Sequence, residues 1–171
     1  MLPYLERADV FNSLNYGFAW DATENRTTRE FQVSTFLRPE DTPGPVAITK
    51  FVAVVDTLTP FPDAVNLKFS DIKDGMSTTV MFGEIAESDI LWAEPRDLRL
   101  GTMDFRINGP LKRKSLGSPY GDARVVFMDG MVRVLKNKTH PTVLRALLTA
   151  NGGEALHGEP PDWSLSPAPG L

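Results

Sequence analysis

The chain has 171 residues, no cysteine and a formal net charge of −4. Those facts exclude disulfides, thiolate metal sites and cysteine nucleophiles, and they leave no overall positive field for holding nucleic acid. With 42% hydrophobic and 23% charged residues the composition is that of a globular domain rather than a disordered chain.

At the amino terminus Leu2, Leu5, Val10, Phe11 and Leu14 recur near helical spacing and predict a helix, which Asn15 and Gly17 stop. A second helix is expected over 23–36, anchored by Phe31 and Phe36 and ended ahead of Pro39. Residues 40–45 then read as a loop. The β-branched stretch 48–55 predicts a strand that Pro60 and Pro62 forbid from continuing. One helical turn over 70–75 takes Ser70 as its N-cap and Gly75 as its terminator. A second strand over 78–85 sets Val80, Phe82 and Glu84 on one side, with Met81 and Gly83 on the other. Residues 92–98 are irregular, and 111–119 form a basic loop.

The carboxy-terminal third carries the strongest local signals. Residues 124–128 and 131–135 flank Asp129-Gly130, which predicts a β-hairpin with a type I′ turn. Thr139 then caps a helix bearing Val143, Leu144, Leu147 and Leu148, and Asn151-Gly152-Gly153 ends it. The four prolines of residues 158–171 predict an extended, mobile tail after a single domain of residues 1–157.

Few residues offer chemistry. His140 and His157 lack a metal-binding spacing, and no nucleophile elbow, phosphate loop or dinucleotide fingerprint occurs. In the segment Asp71 to Gly75, Lys73 stands where a calcium loop needs an oxygen ligand. Lys112-Arg113-Lys114 is too short for a nucleic-acid site and lacks interleaved aromatics. No catalytic residue, metal or cofactor is therefore assigned. Glu84, inside an apolar strand, demands a partner if buried. Trp92 with Glu94 and Asp97 is the candidate ligand site, for a glycan or another envelope ligand; the two carboxylates also allow an acid pair or a hard-cation site, and a hydrolase built on them is the remote version. The charge is uneven: 39–104 carries 12 acidic and 5 basic residues, and 105–138 carries 2 and 8. That asymmetry allows oppositely charged surfaces of two copies to meet.

Several segments in order resemble a known family. They are residues 2–6, 36–39, 70–79 with Asp74-Gly75, 92–98, 127–133 around Asp129-Gly130, 144–149 and Gly152-Gly153-Glu154. Together they resemble a large pseudopilin-like family of unknown function that is expanded in planctomycete bacteria and related to the major pseudopilin of type II secretion. The resemblance implies a pilin-like α+β head: an antiparallel sheet with amino-terminal helices and a closing carboxy-terminal helix. It also implies a non-catalytic, structural protein of the cell envelope, on its periplasmic or extracellular face. Such a protein meets copies of itself or protein partners and reaches the membrane only through an amino-terminal helix not present here. Asp74, Gly75, Glu84, Asp129 and Gly130 are then structural signature positions. The family's usual cysteine is Arg38 here, and its histidine before the hairpin is replaced within Tyr120-Gly121-Asp122.

Overall fold

The computed structural model describes residues 1–157 and 163–165, which form a mixed fold with one four-stranded antiparallel sheet and few helices. Residues 1–157, expected as one domain, comprise two compact units. One is residues 1–50 with 88–96; the other is 51–87 with 97 onward.

The first unit has short helical pieces where two longer helices were expected. Its 2–14 segment gives a 3₁₀ turn, Leu2–Leu5, and then α1, Ala8–Ser13. Glu6 separates them at φ 58°, a left-handed conformation that a right-handed helix does not admit. The 23–36 segment likewise breaks into a 3₁₀ turn, Thr23–Asn25, then α2, Arg26–Arg29, and another 3₁₀ turn, Ser34–Phe36. Between the last two, Val33 is extended and fully buried, so the packing of one β-branched side chain overrides a weak helical period. Leu2, Val10 and Val33 form the core here, with Leu14, Phe36 and Trp92 packed against them. Asn25 is buried and holds the chain around it: its Oδ1 accepts the Asn15 N–H at 2.7 Å, and its Nδ2 donates to Asn15 O and Ala19 O. Arg38 is buried beside Asp41 at 3.0 Å.

In the second unit the expected strand over 48–55 divides. Phe51–Val52 is β1 and Val54–Val55 is β2, and they enter different sheets. β2 runs parallel to β4, Leu98–Arg99, which corrects the irregular reading of Leu98. The main sheet has the order β1, β3 (Val80–Glu84), β5 (Ala123–Phe127), β6 (Val132–Leu135), antiparallel throughout. A register shift between Val80 and Phe82 puts Val80 opposite Phe127, while Gly83 faces Val125. The bulge thereby moves Val80 to the face of Gly83, away from Phe82, and corrects the simple alternation expected for this strand. Buried Ala123, Val125 and Phe127 alternate along β5 and, with Leu116, Leu135 and the buried face of the carboxy-terminal helix, form the core. Each fully buried leucine there contributes about 1.5–3 kcal/mol.

Three local expectations change. The turn over 70–75 begins at Phe69 with Lys68 in the cap position, where Asp71 accepts the Lys68 N–H at 2.9 Å; Ser70 lies inside it. The hairpin is not a type I′ turn. Gly130 N–H donates to Phe127 O and Phe127 N–H to Met131 O, with Gly130 alone at positive φ, 82°. That is a turn through Met128-Asp129 closed by a glycine bulge, so Gly130 rather than the Asp129-Gly130 pair needs the left-handed region. The closing helix, α3, is Pro141–Leu148, and its cap is His140, whose Nδ1 accepts the Thr142 N–H. Thr139 buries its hydroxyl with no partner among the described residues. The helix ends in extended Thr149, ahead of the glycines expected to stop it.

Beyond α3, Leu156–His157 (β7) pairs with Ser164–Leu165 (β8), and the Trp163 ring sits 5.4 Å from that of Phe127. The rest of the expected tail, 158–162 and 166–171, lies outside the described residues. Among the described residues no helix is long and apolar enough to cross a membrane.

Candidate functional site

The signature residues are all engaged in holding backbone. Gly75, at φ 94°, turns the chain after the helical turn at Phe69–Asp71. Asp74 beside it collects the N–H groups of Gly152 at 2.7 Å and Gly153 at 2.9 Å, and the Thr149 hydroxyl at 3.2 Å. It therefore satisfies the chain just past α3, the work that glycines were expected to do by conformation. Glu84, 1% exposed, accepts the Arg124 N–H and its Nε, each at 2.9 Å, across the β3–β5 ladder. This is the partner that an apolar strand position demands of a carboxylate. Asp129 accepts the Met131 N–H and pairs with Arg133 at 2.8 Å, and this guanidinium in turn lies 4.6 Å from the Phe127 ring centre. The Arg133 hydrogen bond, with help from Met131, holds the Asp129 carboxyl below its ordinary pKa.

The candidate ligand trio is divided. Trp92 and Glu94 belong to the first unit and Asp97 to the second. The Trp92 ring stacks on Phe36 at 5.9 Å, and its indole N–H donates to Phe31 O at 2.8 Å. Glu94 binds Arg96 at 2.6 Å and accepts the Leu91 N–H. Asp97 accepts the Ala53 N–H at 2.8 Å, at the point where β1 gives way to β2. Asp97 as a residue is exposed, yet desolvation around its carboxyl holds the pKa above the ordinary value, against the opposing pull of Ala53 and Arg99. Each member thus has partners in its own unit. Among the described residues no group of three or more carboxylates or histidines is arranged to hold a metal.

The chain matches no family model, no curated protein and no solved structure. What it can do must therefore be argued from its own surfaces.

Two apolar features stand out, both in the second unit. One is a cleft of about 680 Å³ lined by Phe61, Phe69, Ile72, Met81 and Met128, with Lys68 its one titratable lining residue. The other is the outer face of the main sheet. Val132, 63% exposed, and Val134, 40% exposed, lie on β6, and half-buried Val126 and Phe82 continue the band inward. Neither was singled out from sequence. The available signal was a set of apolar residues left exposed: Val65 and Leu67 in a loop, Phe69 at the start of the helical turn, and Met131 after the hairpin turn. The charge asymmetry, by contrast, is largely spent internally. Arg106 pairs with Asp104, Lys112 with Glu87, Arg124 with Glu84 and Lys136 with Asp122, beside the Arg133–Asp129 pair.

Proposed function

We propose that the chain is a non-catalytic structural head, pilin-like in arrangement, of a bacterial cell-envelope protein that works through contacts with its own copies or with a protein partner. The observation that carries this reading is the use made of its carboxylates. Asp74, Glu84 and Asp129 fix a glycine turn, a sheet and a hairpin by accepting backbone N–H groups, and two of them are neutralised by an arginine. A carboxylate so committed is poorly placed to take or give a proton during a reaction. The ordered segments resembling the pseudopilin-like family support the same reading, because they hold Asp74, its partners Gly152 and Gly153, and Asp129. Apolar side chains left exposed on the sheet supply surface for protein contacts.

The test is to fractionate the source bacterium with an antibody against this chain, then cross-link intact cells and identify the adducts by mass spectrometry. The expected result is recovery in the envelope fraction with protein–protein cross-links. Recovery in the cytoplasm without protein adducts would overturn the reading.

A further inference from the structure

The last strand of the main sheet, β6, has an open edge. No strand lies beyond it among the described residues. The hairpin bonds set which of its backbone groups are used. Phe127 and Met131 share a ladder bond, so Val125 and Arg133, two positions along, exchange the next pair. Val132 and Val134 fall in the intervening, non-bonded positions and turn their N–H and C=O groups away from β5. The same two residues put valine side chains on the open face, 63% and 40% exposed, next to Met131 at 58%. β6 has no proline and its open face carries no charge; its protection is limited to its four-residue length, the inward-facing Arg133 and the glycine bulge that precedes it.

We propose that β6 is the contact through which two copies of this chain associate, edge to edge and antiparallel, about a two-fold axis at Arg133. In this register Val132 of each copy lies opposite Val134 of the other. Each pair exchanges two backbone bonds, about four in all, and the open faces of both sheets come onto one side. The charges favour an antiparallel mate. The turn of one copy, where Asp129 is paired with Arg133, comes beside Lys138 and the Asp122-paired Lys136 of the other, whereas a parallel mate would set like charges together. The two Arg133 residues meet on the opposite face, where each already carries Asp129 at 2.8 Å. A strand of another protein could use the same edge, but this charge pattern is complementary to itself.

This inference deepens the subunit-contact reading by naming the contact. It rests on that reading only for its biological setting. A chain that stays monomeric would remove this interface and leave contacts with a different protein standing. An edge so short buries less than a standard interface, so the dissociation constant is expected on the order of 10–100 µM. Sedimentation velocity from about 5 µM to about 1 mM should show a monomer passing to a dimer and no further. Val134→Lys and Val132→Lys should each weaken the association about tenfold or more while the circular dichroism spectrum stays unchanged. Hydrogen exchange on the unaltered chain provides a reading independent of any variant's folding: the Val132 and Val134 amides gain protection with concentration, and that of Arg133 does not. A monomer throughout, open-ended growth, a dimer indifferent to both lysines, or a dimer without new protection at Val132 and Val134 would each overturn the proposal.

Discussion

At the scale of single residues, two carboxylates accept backbone N–H groups from distant positions in different surroundings. Asp74 gathers two backbone N–H groups and a hydroxyl that follow α3. Removing its oxygens hands those largely exposed donors to water, so Asp74→Ala should cost about 0.5–1.5 kcal/mol, read as a lower urea midpoint with an unchanged slope. An unchanged midpoint would mean that solvent serves those amides equally well. Asp97 bonds the Ala53 N–H while its desolvated carboxyl resists ionisation. Asp97→Asn keeps an acceptor and removes the charge, so stability at pH 7 should hold or rise. Asp97→Ala removes the acceptor and should cost about 1–3 kcal/mol. If the asparagine proves as damaging as the alanine, the charge itself is needed. Both residues were visible in the sequence. Their partners, more than forty and seventy positions away, were not, because nothing local encodes them.

At the scale of elements, the hairpin was legible and its turn was not. Two runs of β-branched residues about Asp129-Gly130 indicate a hairpin whatever the turn type. The choice between a two-residue turn and a glycine bulge depends on whether Asp129 goes left-handed. Here its φ stays out of the left-handed region, and its carboxylate reaches the Met131 N–H and Arg133. Gly130 alone carries the unusual φ, so Gly130→Val should destabilise the fold by about 1–2 kcal/mol, and Gly130→Asn by distinctly less. Thermal melts of the two variants would separate conformational strain from a general intolerance of side chains, since no neighbour lies within 4 Å of the missing Cβ. The amino-terminal helices were misjudged for a different reason. Their period was real, but left-handed Glu6 and extended Val33 break them, and burial of Val33 outweighs propensities worth tenths of a kcal/mol per residue.

At the scale of the whole molecule, acid should loosen the chain. Asp9, at about 2, and Asp104, Asp122 and Asp129 all have pKa values below the ordinary carboxylate value. Hydrogen bonds from Arg7, Arg106, the Asn137 N–H and Arg133 are the leading causes, in that order. A group whose folded pKa is depressed stabilises the fold fully above its unfolded value, near 3.9, and loses that contribution as pH falls through the folded value. The urea midpoint should therefore be flat from about pH 7 to 5 and decline below about pH 4, with Asp129→Asn making the decline shallower. A midpoint that rises on acidification would show that burial of Asp97, which acts in the opposite sense, dominates.

The sequence by itself determined what is local or compositional: an α+β chain without cysteine chemistry, a hairpin over 124–135, a helix with leucines at core spacing, and a glycine turn at Gly75. Hydrophobic period and left-handed glycine are properties of a few neighbouring residues, so they can be read without a fold. Only the tertiary structure decided which strand of the sheet is left at an edge, which face of it stays exposed, and that Asp74, Glu84 and Asp129 bind backbone. It alone also divided Trp92 and Glu94 from Asp97 between two units. Those outcomes depend on strand order and on contacts between distant positions, which the spacing of residues along the chain does not specify.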